Sequence, residues 1–215
     1  MTPQMKAALF DLDGTLIDTE RRSLAMWSLL LDNHGIDHDM ALLRGFVGRR
    51  GRDVLAEKAA LFPGKGIDEL FAEVLTYRDH PDLPEIVPVP GAAELVRRVA
   101  GFGSPIAVVT SAMRWWAEER LADVGVRDLV RTMVTAEDVT AGKPHPEGFL
   151  LGAERLGAAP ADCVAFEDSV AGIAAAKAAG MACVAVATTH PDEDLAGADL
   201  VVADLTGIDW PLPLF

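Results

Sequence analysis

Asp11 and Asp13 stand one residue apart at the end of the short apolar run Ala7-Ala8-Leu9-Phe10, and Gly14 and Thr15 follow at once. An apolar run of this length suits a strand covered on both faces, as in a parallel sheet. The carboxyl end of such a strand opens on the crevice where open α/β sheets bind ligands. If the extended geometry persists, side chains two apart leave the strand on one side, so both carboxylates face one bound group. A calcium loop of the EF-hand type also begins Asp-x-Asp, but it takes glycine sixth and glutamate twelfth. Here glycine comes fourth. A solvated turn, in which Asp and Gly serve only the backbone, is the competing reading.

Three further clusters follow apolar runs. Thr110 and Ser111 close the run Ile106-Ala107-Val108-Val109. They read as the start of a helix, whose amide protons and dipole favour an anion; a plain N-cap is the simpler use of the same hydroxyls. Lys143 lies between Gly142 and Pro144, in a loop stiffened by the proline, where a solvated lysine is the alternative. His145, flanked by Pro144 and Pro146, reads as loop-shaping or exposed and is left out of the chemistry. Glu167 and Asp168 end Val164-Ala165-Phe166, repeating the opening theme. Two acids at one strand end repel unless a cation or hydrogen bonds offset them. With Asp11 they offer hard oxygen ligands to Mg²⁺, which retains waters for a phosphate substrate. Asp168 or Ser169 can also cap the next helix.

These residues need a scaffold, and the pattern supplies one. Leu24, Trp27 and Leu31 recur at helical spacing before Gly35, and further helices are predicted over 40–47, 52–62 and 67–79, with Pro63-Gly64 as a break. A passage with prolines at 81, 84, 88 and 90 reads as a return hinge. Beyond Gly91, short apolar runs at 106–109, 132–134, 164–166, 183–187 and 200–202 alternate with helical stretches. That alternation predicts an α/β protein with a doubly wound parallel sheet, to which the first strand belongs. The helical block is then an insertion just after the reactive turn, a position suited to a cap. The expected division is 1–16 and 88–215 for the α/β core and 17–87 for the small all-helical cap.

Of 215 residues, 50% are hydrophobic and 24% charged, enough for a sizeable core. The net charge of −14 repels phosphodiester backbones and anionic lipid surfaces, so neither nucleic acid nor membrane is expected as a partner. No apolar run approaches bilayer length, and residues 1–6 lack the layout of a signal peptide, so a cytoplasmic protein is expected. Cys163 and Cys183 lie within apolar runs and read as small buried hydrophobes.

Taken together, Asp11-x-Asp13-Gly14-Thr15, Thr110 after its strand, Lys143 in Gly-Lys-Pro and Glu167-Asp168 after its strand resemble, in order and along the whole chain, the four motifs of the haloacid dehalogenase superfamily. The insertion resembles the helical cap of its β-phosphoglucomutase-like subfamily. Within that subfamily, Gly142-Lys143-Pro144-His145-Pro146-Glu147 and Phe166-Glu167-Asp168-Ser169-Val170-Ala171-Gly172-Ile173 look most like sugar- and polyol-phosphate phosphatases. The resemblance implies a Rossmann-like core and an Asp11 that attacks phosphorus to form an aspartyl-phosphate. It implies that Asp13 protonates the leaving alkoxide and then takes a proton from water, and that Thr110, the Ser111 amide and Lys143 hold phosphate oxygens. Asp11, the Asp13 carbonyl and Asp168 would bind Mg²⁺, with Glu167 close by or acting through water. In Gly48-Arg49-Arg50-Gly51-Arg52-Asp53, Arg50 occupies the position where similar sugar phosphatases place a substrate-facing residue, whereas Arg49 and Arg52 read as solvated.

The expectation is a Mg²⁺-dependent monomeric phosphatase acting on a small phosphorylated sugar or polyol. A phosphomutase of the same subfamily is the nearest rival, although such mutases carry a histidine ten residues after the second aspartate, where this chain has Ser23. A non-enzymatic phosphoacceptor domain is more remote, because it has no need of Asp13 or of an insertion. A dehalogenase would not need Asp13 either, and nothing marks Lys58 or Lys65 as the Schiff-base lysine of a phosphonatase.

Overall fold

A computed structural model of the chain describes residues 7–47 and 49–212. Residues 1–6, read above for a targeting signal, and Gly48 of the arginine-rich run lie outside the described residues. In chain order the elements are β1 (Ala7–Phe10), β2 (Ile17–Asp18), α1 (Glu20–Asn33), α2 (Met40–Arg44), α3 (Gly51–Glu57), α4 (Ile67–Thr76), β3 (Val87–Pro88), α5 (Ala92–Gly101), β4 (Ile106–Val109) and α6 (Arg114–Asp123). They continue through β5 (Thr132–Val134), α7 (Glu147–Leu156), β6 (Cys163–Glu167), α8 (Val170–Ala178), β7 (Ala182–Val186) and β8 (Leu200–Val202).

Six strands form one parallel sheet in the order β5-β4-β1-β6-β7-β8. The expected doubly wound sheet is therefore present. The chain winds outward from β1 through β4 to β5, then crosses back to β6 on the other side, so the crevice of this reversal lies at the carboxyl ends of β1, β4 and β6. Alternation along each buried strand divides the core. Ala8, Phe10, Val108 and Phe166 face a cluster with Leu95 of α5 and Leu121 of α6. Ala7, Leu9, Ala107 and Ala165 face Phe149 of α7 and the alanines of α8. Small residues on this second face let α8 pack close to the sheet. Phe10 and Phe166 stack across neighbouring strands, centroids 4.6 Å apart; burying each ring contributes about 1.5–3 kcal/mol, which fixes the two strand ends that carry Asp11 and Glu167.

Helices α1 to α4 bury an apolar cluster of their own, including Trp27, Leu31, Phe46, Leu55 and Leu70. Three are shorter than their periodicity predicts. Gly45 caps α2, and α3 gives way to a 3₁₀ turn at Ala59–Leu61 because Phe62 precedes Pro63 and is pushed out of the helical region. A second 3₁₀ turn, Tyr77–Asp79, follows α4. The two-residue strands β2 and β3 pair antiparallel, Ile17 with Pro88 and Asp18 with Val87, where the chain leaves the sheet layer and returns to it. They are too short to show a periodicity, and the sequence reading contains neither.

Cys163 and Cys183 are buried and unpaired, and burial pushes both thiols up, as expected of small core residues. Among the described residues no helix is long and apolar enough to cross a membrane.

Candidate active site

Asp11 is the first residue beyond β1, and its amide donates to the Phe166 carbonyl at 2.9 Å, so the β1–β6 ladder orients it. The side chain is almost fully buried, 5% exposed. Lys143 Nζ donates to Asp11 Oδ1 at 2.5 Å and also to Glu167 Oε1. The ammonium thus bridges the ends of two adjacent strands. Glu167 is itself held by three donors on Oε2: the Asp168 amide at 3.1 Å, the Ser169 amide at 3.3 Å and the Ser169 hydroxyl at 3.0 Å. Ser169 caps α8 by accepting from the Gly172 amide. Asp168 accepts from the Thr189 hydroxyl and, at 3.5 Å, from that of Thr15.

Carboxylate oxygens of Asp11, Glu167 and Asp168 come within 4.8 Å of one another. Three buried carboxylates thus face a single ammonium. Burial, then Glu167 and Asp168, raise Asp11 well above the usual carboxylate range, although Lys143 opposes them. Asp168 is pushed up to about 8, first by burial and then by Glu167. Burial pulls the Lys143 ammonium down, but Asp11 and Glu167 more than reverse this and hold it charged. Such a surplus of hard oxygens is what a magnesium ion complements, so the residues fit the expected metal.

Asp13 points elsewhere. Its Oδ1 accepts from the Thr19 hydroxyl at 3.0 Å and from the Trp116 indole at 3.1 Å. Burial raises its pKa, and these two bonds partly offset the rise. The turn that follows Asp13 depends on Gly14, whose φ is +93°; a Cβ there would fall 2.0 Å from Asp168 Oδ2. Both aspartates, Asp168, Thr110 and Ser111 line one cleft of about 420 Å³ between the sheet ends and the helical block. Lys143 lies behind Asp11 and shares a smaller pocket with Thr110 and Ser111. The structure therefore brings together all the residues that the sequence nominated at the strand ends.

One local expectation fails: Thr110 and Ser111 do not begin a helix. Helix α6 starts at Arg114, capped by Met113, and the Thr110 hydroxyl accepts from the Ala112 amide at 3.0 Å in the intervening turn. Arg50 also lines the cleft, but its guanidinium donates to the carbonyls of Ala136 and Thr140, each at 3.1 Å. Its neighbours Arg49 and Arg52, expected to be solvated, line the cleft as well, while Arg49 pairs with Glu57 and Arg52 with the exposed Asp68. His145 is exposed, and neither Lys58 nor Lys65 lines the cleft.

Thr19 and Trp116, which bond to Asp13, and Thr189, which bonds to Asp168, are neighbours of the site that the sequence reading did not select. Thr189 had a signal, since the pair Thr188-Thr189 follows an apolar run much as Thr110-Ser111 does. Trp116 had none, because only the packing of α6 brings it to Asp13.

A family model described as "haloacid dehalogenase-like hydrolase" matches residues 5–180. Validoxylamine A 7'-phosphate phosphatase of Streptomyces hygroscopicus subsp. limoneus is 44% identical over 206 residues, covering 96% of this chain and 97% of the relative. Hexitol phosphatase A of Escherichia coli is 35% identical over 206 residues, covering 94% and 93%. A solved β-phosphoglucomutase from Clostridium difficile superposes with a TM-score of 0.79 at 25% identity, covering 96% and 94% of the two chains. The chain belongs to the haloacid dehalogenase-like hydrolases, and within them it is a phosphoric monoester hydrolase.

Proposed function

We propose that the protein is a Mg²⁺-dependent phosphatase of a small phosphorylated sugar or polyol, working through an aspartyl-phosphate on Asp11 beneath a cap formed by residues 17–87. The observation that carries the reading is the buried Asp11–Lys143–Glu167 bridge beside Asp168 at the floor of a cleft. The names of the two relatives above, a validoxylamine A 7'-phosphate phosphatase and a hexitol phosphatase, support the substrate class. The β2–β3 pair, where the chain leaves and re-enters the sheet layer, supports the boundaries of the cap. The same reading has a monomer acting in the cytoplasm.

In this mechanism Lys143 engages Asp11 Oδ1 and offsets the repulsion between an anionic nucleophile and an anionic ester. Glu167 serves mainly to hold Lys143, since its other oxygen is already occupied by three donors. Asp11 attacks phosphorus while Asp13 gives a proton to the departing alkoxide. Water then attacks the phosphoaspartate and loses a proton to Asp13, which restores both residues. Thr110 and the Ser111 amide hold the phosphoryl oxygens. When bound, Mg²⁺ supplies positive charge beside the transferring group; Asp11, Asp168 and the Asp13 carbonyl would hold it, with Glu167 nearby.

A phosphomutase is disfavoured by Ser23, which lines the cleft where the mutases of the subfamily carry histidine. The test is a panel of mannitol 1-phosphate, glucose 6-phosphate, β-glucose 1-phosphate with a trace of glucose 1,6-bisphosphate, and 4-nitrophenyl phosphate, with Mg²⁺ or with EDTA. The phosphatase reading expects inorganic phosphate in step with dephosphorylated product, only with metal. Stoichiometric glucose 6-phosphate from β-glucose 1-phosphate without phosphate release would establish the mutase instead.

A further inference from the structure

We infer that Trp116 is a positioning residue for Asp13: its indole N–H, with the Thr19 hydroxyl, holds Oδ1 so that Oδ2 is the oxygen that exchanges a proton with the leaving group. The inference rests on the phosphatase reading above and adds a residue to it.

Both contacts fall on the same oxygen, at 3.1 Å from Trp116 and 3.0 Å from Thr19. An indole N–H can only donate, so it makes a good bond to an oxygen that carries no proton and a poor one to an oxygen that does. The proton of the acid form is thereby directed to Oδ2. As the P–O bond breaks, the electron pair stays with the substrate oxygen, which takes the Oδ2 proton and leaves as an alcohol; Asp13 is left as the carboxylate. A hydroxyl such as that of Thr19 can rotate and switch roles, whereas the indole cannot.

The indole is itself fixed. Trp116 lies in the first turn of α6, directly after the Thr110-to-Met113 turn. The Arg120 guanidinium covers its ring at 4.8 Å and is tied to Asp123 at 3.0 Å and to Glu119 at 2.7 Å. Trp115 meets its edge, with centroids 5.8 Å apart and planes at 83°. An N–H serving only to satisfy a tryptophan would need no such bracing, nor the proton-transfer group as its partner. Misplacing a reacting group by about 1 Å can slow a reaction by roughly two orders of magnitude.

The test is rapid-quench measurement of phosphoenzyme formation in wild type and Trp116→Phe, which keeps a ring and loses the N–H. One substrate is the alkyl phosphate of the panel that wild type turns over fastest, and the other is 4-nitrophenyl phosphate, whose leaving group needs little protonation. The expected result is a loss of about tenfold with the alkyl ester and under about twofold with the aryl ester, with KM for the alkyl ester nearly unchanged. Trp210→Phe removes an indole N–H bonded to Ser104 in the core and controls for the general effect of such a loss; it should show no dependence on leaving group. If Trp116→Phe folds poorly, 3-benzothienylalanine at 116 keeps the bicyclic shape and also lacks the N–H, and the same pattern is expected. Equal losses with both esters, or none with either, overturn the role of Trp116 alone. A wild-type protein that releases phosphate from no ester overturns the phosphatase reading and this inference with it.

Discussion

Glu167 has no exposed surface, and Gly172 one turn into α8 leaves room for it: a Cβ at 172 would lie 1.9 to 2.0 Å from its carboxyl atoms. Gly172→Ala must therefore displace either the helix or the carboxylate that holds Lys143. The expected result is a loss of about 1–3 kcal/mol in urea denaturation, together with a large drop in kcat; full activity at unchanged stability would show that Glu167 does not set the position of Lys143. Asp13→Ala is expected to slow phosphoenzyme formation from alkyl phosphates by about 10²–10⁴-fold and from 4-nitrophenyl phosphate much less, again read by rapid quench. An equal loss with both esters would remove Asp13 from the acid role. At this scale the residues at strand ends were legible because catalytic types there break an apolar run. Trp116 and Thr19 were not, because their relevance exists only through tertiary packing around Asp13 Oδ1.

The loop after β5 shows how elements hold the site together. Asp138 accepts from the Thr135 amide at 2.9 Å and hydroxyl at 2.7 Å, and pairs with Arg155 of α7 at 2.8 Å and Arg114 of α6 at 2.5 Å. Burial raises its pKa, but Arg155, Thr135 and Arg114 together bring it down from 3.8 to about 2. A group with a depressed folded pKa stabilises the protein above its unfolded value and ceases to do so as pH falls through the folded one. Asp138→Asn should therefore lower the urea midpoint at pH 7, and the gap to wild type should narrow as pH falls from about 4 toward 2. A gap that does not change with pH would show that Asp138 acts by packing and not by charge. Strand positions were predictable, since 106–109, 132–134 and 200–202 match the observed elements residue for residue. Helix ends were less so, because Gly45, Phe62 before Pro63 and the turn after Thr110 terminate or delay helices through local backbone chemistry that periodicity does not register.

In the molecule as a whole, Arg50 ties the helical block to the sheet layer by donating to two carbonyls of the loop braced by Asp138, and Arg78 adds a second contact by covering the Trp115 ring of α6 at 4.9 Å. Arg50→Ala should raise KM for sugar phosphates roughly tenfold, the effect of losing one charged hydrogen bond, and should raise it less for 4-nitrophenyl phosphate. Identical changes for the two would detach Arg50 from substrate capture. That the block is inserted after the reactive turn was visible from the switch in periodicity near Gly91; that Arg50 reaches the sheet layer was not, since Arg49, Arg50 and Arg52 look alike in sequence. The central claim is that Asp11 carries the phosphoryl group. Acid quench during turnover of 4-nitrophenyl phosphate with Mg²⁺, reduction by borohydride and peptide mapping should yield homoserine at position 11. Homoserine at position 13, or steady phosphate release with Asp11 unmodified at every quench time, would contradict the account.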